Sequence, residues 1–197
     1  MLYTRKGDTG TTKIFGCDQR FSKSSAVAEA LGAVDELNSF LGLCKVRAKE
    51  TELSVGERAV SALVEEVQQN LFIVQAGLAG ADKHLAREKI AVMEQAIGDI
   101  ETVLPPITSF FVSGGTELAA LFDVARTIAR RAERRVVALY REQGEKSAVY
   151  GKDPTNSAPD IQEPILAYLN RLSSLLYALA RLANHAAGIT EDAPTYR

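Results

Sequence analysis

Leu118, Leu121, Phe122, Ala125, Ile128, Ala129, Ala132, Val136 and Leu139 follow one another at spacings of one, three and four residues, so on a 3.6-residue helix they share one face. A strand, with its period of two, would scatter them over both faces of a sheet. This stretch predicts a helix from about Glu117 to Glu142, with Thr116 as its N-cap. The same period recurs elsewhere. Val27, Leu31, Val34, Leu37 and Leu41 predict a helix that starts after Ser24 and Ser25 and runs to about Arg47. Val60, Leu63, Val64, Val67, Leu71, Val74 and Leu78 predict the next, with Gly77 and Gly80 near its end, and Ile90, Met93, Ile97 and Ile100 the one after. That third helix must stop before Pro105 and Pro106. The last starts near Pro164, carries Ile165, Leu169, Leu172, Leu176, Leu179 and Leu182, and ends at Gly188.

No segment reads convincingly as a strand, and the helical stretches share no repeat. The expected fold is therefore all-α, a five-helix bundle with ferritin-like up-down packing. The 197 residues make one domain: an ordered arm over 1–25, the bundle over 26–190 and a tail over 191–197. The stretch from Gly144 to Glu163, with Gly151, Pro154 and Pro159, reads as a flexible polar loop.

Composition narrows the chemistry. Lys and Arg total 23 against 25 Asp and Glu, so any anion-binding surface is local and a nucleic-acid-coating protein is disfavoured. Cys17 and Cys44 are the only cysteines and there are two histidines, which argues against a disulfide framework or a closed zinc site and for a reducing, cytoplasmic setting. The longest apolar run, about Leu71 to Ala81, is interrupted by Gln75 and falls short of the ~20 residues that span a bilayer, so no membrane role is expected. Neither His84 nor His185 follows a Glu by three residues, which sets aside a di-iron bundle, and no Gly-x-Ser-x-Gly elbow is present. If the chain is an enzyme, its nucleophile comes from a substrate or cofactor.

Three places carry unusual chemistry. Arg126, Arg130 and Arg134 stand four apart on the fourth helix, joined by Arg131 and Arg135, with Glu133 able to offset Arg130. Like charges at that spacing cost a few tenths of a kcal/mol per pair unless acids or an anion neutralise them. A solvated basic face is the plainer reading of such a run. In the arm, Thr4-Arg5-Lys6-Gly7-Asp8-Thr9-Gly10-Thr11-Thr12-Lys13 combines flexible glycines, hydroxyl donors and cations, the parts of an anion nest, with Lys23 as a further phosphate contact; a polar surface turn would read the same way. On the first helix Asp35 follows the core-facing Val34, and as a partly buried carboxylate it would draw a partner from the arginine face. Phe110 and Phe111 read more readily as core plugs than as ligand contacts. Asn170 and Arg171 interrupt the leucine stripe of the last helix, as a core amide or as site residues.

At these residues the chain resembles the ATP:cob(I)alamin adenosyltransferase family, the propanediol-utilisation type. The resemblance rests on the arm Tyr3 to Thr12, on Val34-Asp35-Glu36-Leu37-Asn38-Ser39, on Gly114-Gly115-Thr116-Glu117-Leu118-Ala119, on Ala125 through Arg134 and on Asn170-Arg171-Leu172-Ser173, in that order along nearly the whole chain. It implies transfer of the 5′-deoxyadenosyl group from ATP to reduced cob(I)alamin or a related corrinoid, giving adenosylcobalamin and triphosphate, with Mg²⁺ accompanying the nucleotide. It implies a cytoplasmic homotrimer with active sites between subunits, served by a corrinoid reductase and an adenosylcobalamin-dependent enzyme. By matching position Thr4, Arg5, Lys6, Gly7, Thr11, Thr12, Lys13 and Lys23 would hold ATP from the arm, with Arg130, Arg131, Glu133, Arg134 and Asn170 completing the nucleotide site. Phe110 would face the lower side of the corrin ring, and Asp35 with Arg126 would form an intersubunit ion pair near it. Ser113 stands where the family usually has proline, and Asp123 where histidine is frequent. A carrier or sensor that binds ATP or adenosylcobalamin without chemistry is the alternative.

Overall fold

The computed structural model describes residues 3–14, 18–149 and 159–196. Its helices are α1 Ala26–Lys49, α2 Val60–Leu78, α3 Glu88–Val103, α4 Glu117–Val149 and α5 Pro159–Ala186. The expected starts and stops hold where caps dictate them. Ser25 accepts from the Ala28 amide at 3.4 Å as the N-cap of α1, and Thr116 does the same for Ala119 at 3.1 Å on α4. Leu104, held extended before Pro105, ends α3.

Two expectations need correction. The polar stretch 144–163 is not a loop throughout: α4 continues past Gly144 to Val149 and α5 begins at Pro159, with Pro164 inside the helix rather than in its first turn. Glu142, Glu145, Lys146 and Ala148 are good helix formers, and one glycine costs a helix only about 1 kcal/mol. Residues 150–158, including Gly151 and Pro154, lie outside the described residues. Short strands are also present. β1 Thr11–Lys13 pairs antiparallel with β2 Arg20–Ser22 inside the arm, and β3 Ser54–Val55 pairs with β4 Arg58–Ala59 between α1 and α2. Strands of two or three residues are too short for an alternating pattern to register.

Side-chain pairs give the helix directions. Lys45 meets Glu65 and Gln68 meets Asn38, so α2 runs antiparallel to α1. Arg47 with Glu117, Arg131 with Glu36 and Arg135 with Glu29 set α4 antiparallel to α1. Asp123 with Arg181 and Glu133 with Asn170 do the same for α5 against α4, whereas Arg87 with Glu163 and Arg171 with Glu94 make α3 parallel to α5. The direction therefore alternates from each helix to the next. The core sits between these faces, with Leu37, Leu41, Leu71, Phe122, Tyr168, Leu169 and Leu172 fully buried. Each such side chain contributes about 1.5–3 kcal/mol through burial, which is what makes α4 and α5 a rigid platform. Cys44 lies in this core, and burial pushes its thiol up to about 12.

Candidate active site

The exposed ridge of α4 is the site's spine. One helical turn carries each arginine to the next, so Arg126, Arg130 and Arg134 stand in a row of about 6 Å steps. Two clefts open along the row. A polar cleft of about 720 Å³ is lined by Arg130, Glu133, Arg134, Arg141 and Asn170. A wider cleft of about 870 Å³ is lined by Phe110, Phe111, Arg126, Arg130, Tyr177 and Tyr196 among others. Arg130 belongs to both. A cation-rich pocket thus abuts an aromatic one, with a single guanidinium at the border.

In the polar cleft Glu133 does not simply neutralise Arg130: its Oε1 accepts the Asn170 side-chain amide at 3.1 Å. Asn170 Oδ1 accepts from Arg171 at 3.0 Å, and Arg171 donates to Glu94 at 2.7 Å, so the amide's orientation is set from both sides. Asn170 is exposed at the cleft rim, which favours the site reading over the core one. Arg131 is turned away from both clefts to Glu36, and Arg135 faces Glu29 at 3.6 Å. The plain reading, a salt-bridged face, therefore holds for Arg131 and Arg135. Arg130 and Arg134 are exposed along the clefts, as a solvated basic face would also be.

In the aromatic cleft Phe110 is 77% exposed, so it is no core plug; Phe111 is half-buried. Both sit on the irregular strap that follows Pro105 and Pro106, ahead of the Gly114-Gly115 turn. That turn is pinned by Asn184 of α5, whose Oδ1 accepts from the Thr116 amide at 2.9 Å and whose Nδ2 donates to Gly114 O at 2.8 Å. Gly115, at φ +96°, lies so close that a Cβ there would meet Asn184 Oδ1 at 2.4 Å. Only glycine permits the approach.

Asp35 departs from expectation. It is exposed on α1 rather than partly buried, and among the described residues it accepts only a 3.5 Å hydrogen bond from Gln75 of α2. Arg126 is half-buried with its Nε wholly buried and without a partner. An unpaired buried donor costs about 1–3 kcal/mol, and among the described residues nothing offsets that cost at Arg126 Nε.

The arm is built around a residue that sequence reading passed over. Arg20 donates to Thr11 Oγ1 at 2.8 Å, to Thr11 O at 2.9 Å and to Lys6 O, tying β2 to the turn at residues 5–10. Arg5 at φ +57° and Gly10 at φ +76° bend that turn, and a Cβ on Gly7 would come within 3.2 Å of Lys23 Nζ. Thr4, Arg5, Lys6, Gly7 and Lys23 are thereby gathered into one small cationic patch, with Thr11 and Thr12 on the adjoining strand. Lys13 pairs with Asp18 at 3.0 Å. Among the described residues no hydrogen bond or ion pair joins the arm to α4 or α5, and no arm residue lines either cleft. Within one chain, among the described residues, the arm patch and the two clefts do not meet.

Tyr177, Arg181 and Asn184 were also missed. They had a signal: on α5 Asn170, Ser173, Tyr177, Arg181 and Asn184 recur at spacings of three and four, a polar stripe beside the leucine one. Among the described residues no group of His, Cys, Asp and Glu could hold a metal ion, and no helix is long and apolar enough to cross a membrane.

Residues 2–183 match the family model described as cobalamin adenosyltransferase. The corrinoid adenosyltransferase PduO of Citrobacter freundii is 37% identical over 193 residues, covering 94% of this chain but 50% of its own length. This chain thus spans about half of that relative. The corrinoid adenosyltransferase of Bacillus subtilis is 36% identical over 192 residues, 95% of this chain and 89% of that protein. Among solved structures, a phenylalanine-to-alanine variant of the PduO-type ATP:corrinoid adenosyltransferase of Lactobacillus reuteri, complexed with cobalamin and ATP, superposes with a TM-score of 0.81 at 31% identity, covering 99% of both chains.

Proposed function

The chain belongs to the cobalamin adenosyltransferase family, and on that premise we propose that it transfers the 5′-deoxyadenosyl group of ATP to a Co(I) corrinoid. The observation that carries this reading is the pair of clefts meeting at Arg130: a cation-lined one suited to a triphosphate and an aromatic one suited to a large planar macrocycle. The cobalt lone pair attacks ribose C5′, a Co–C bond forms, the C5′–O bond breaks with its electron pair, and triphosphate leaves. No protein nucleophile is needed, in keeping with a site that presents arginines and aromatic rings but no catalytic His or Cys. The protein's work is alignment and charge stabilisation. Arg130 and Arg134 offset charge growing on the leaving triphosphate, which arrives as its Mg²⁺ complex. Glu133 and Asn170 fix the nucleotide in the polar cleft, and Phe110 crowds the lower face of the corrin ring.

The arm and the clefts combine in a homotrimer. The patch of Thr4 to Gly7, Thr11 to Lys13 and Lys23 closes over the polar cleft of a neighbouring subunit, and Asp35 from one subunit meets the unpartnered Arg126 of the next. Arg131, paired with Glu36, serves the nucleotide only by holding α1 against α4. The enzyme works in the cytoplasm, where a reductase supplies Co(I) and an adenosylcobalamin-dependent enzyme takes the product.

Incubation with ATP, Mg²⁺ and chemically reduced corrinoid tests the reading: adenosylated corrinoid and intact triphosphate support it, and release of ADP and phosphate contradicts it. The carrier alternative predicts tight binding of both ligands with no triphosphate formed.

A further inference from the structure

We propose that Arg181 is a positioning residue for the corrinoid, latching the segment after α5 to the aromatic wall of the wider cleft. The proposal rests on the adenosyl-transfer reading for the identity of the ligand, though not for the latch itself. Arg181 is 2% exposed, yet it lies on the leucine-rich α5, where a charge carries a large desolvation cost. Its guanidinium is engaged from several sides, through one hydrogen bond, one close ion pair whose Nε–H is not aligned for a hydrogen bond, and two rings. Nη2 donates to Asp123 of α4 at 2.8 Å, Nε lies 2.9 Å from Glu191 beyond α5, and its carbon sits 5.0 Å from the Tyr177 ring and 5.7 Å from Phe111. Asn184 adds a 2.6 Å hydrogen bond to the same Glu191 carboxylate, and the Val112 amide donates to Asp192 O at 2.8 Å. The strap that carries Phe110 and Phe111 is thus stitched to residues 191–196 through one buried cation. Pro194 and Tyr196 from that segment line the wider cleft but not the polar one. Loosening the stitch moves the walls that would touch a macrocycle and leaves the nucleotide side alone. A lysine cannot replace Arg181, because only a planar guanidinium can donate to Asp123, keep a second nitrogen beside the Glu191 carboxylate and offer flat faces to aromatic rings.

Glu191→Gln, Arg181→Lys and Arg181→Met are compared in the intact protein by steady-state kinetics with cob(I)alamin and ATP, and by hydrogen exchange at the Val112 amide without ligand. The expected result is faster exchange at Val112 in all three, with the KM for corrinoid raised about tenfold, the effect of losing one charge-assisted hydrogen bond, and the KM for ATP unchanged. Arg181→Lys fails to restore either. Equal rises in both KM values, or unchanged exchange with unchanged corrinoid KM, overturn the proposal. Should Arg181→Met not fold, Glu191→Gln, at a partly exposed position that leaves the Asp123–Arg181 pair intact, decides it. A wild-type protein that turns over no corrinoid sinks the functional reading, and the Val112 exchange still decides the latch.

Discussion

Asn170 Nδ2 donates to Glu133 Oε1 across α4 and α5 at 3.1 Å, while Asn170 Oδ1 is held by Arg171, so the polar cleft is rimmed by an amide whose two ends cannot exchange roles. Asn170→Ala frees the Glu133 carboxylate to swing toward Arg130 and Arg134, competing with a bound triphosphate. The KM for ATP rises about tenfold, as expected for loss of one hydrogen bond at a charged site, while the KM for corrinoid holds. An unchanged ATP KM would remove Asn170 from the nucleotide site.

The buried, unpartnered Nε of Arg126 and the exposed Asp35 carboxylate carry the intersubunit claim. Arg126→Ala and Asp35→Asn each lower adenosyl transfer, and the double variant is no worse than either single one, because both remove the same pair. The sedimentation coefficient of every variant is expected to match that of the wild type. Additive losses, or full turnover by both single variants, would break the pairing.

Gly115→Ala tests the turn. A methyl group meets Asn184 in a left-handed backbone, so the variant loses about 2–4 kcal/mol in chemical denaturation from strain and disrupted hydrogen bonds. Gly114→Ala, with φ +130° but no atom within 4 Å of a Cβ, carries backbone strain alone and loses less.

Much of this was readable from residues alone, and the reason is physical. Apolar period and caps are local, so Ser25, Thr116 and Pro105 marked helix ends that the structure keeps. The arginine row followed from one-turn spacing. What escaped depends on distant partners. Arg20 and Arg181 look like ordinary cations until β1 or α4 is beside them, and the exposure of Phe110 depends on how the strap after Pro106 lies. Gly144 and Pro164 misled because breakers inside long helices are tolerated when the flanking residues favour the helix.

Acid should weaken the fold through Glu66. Hydrogen bonds from Lys89 at 2.9 Å and from Arg58 at 2.6 Å hold its carboxyl below the usual carboxylate range, against an opposing contribution from burial. A depressed folded-state pKa means that the stabilisation is complete above the unfolded value and is lost as pH falls through the folded one. Glu66→Gln therefore lowers Tm near neutral pH, and the gap to wild type closes below about pH 4. A gap independent of pH would show that packing, not charge, sets the effect.

The central claim is that corrinoid alkylation and triphosphate release are one event in one site. Their ratio tests it most directly: the purified protein, ATP, Mg²⁺ and chemically reduced cob(I)alamin are mixed, and Co–C bond formation is followed by absorbance while triphosphate is quantified in the same samples. The account predicts one triphosphate for each adenosylcobalamin. Tight ATP binding with neither product, or triphosphate released without a Co–C bond, would contradict it.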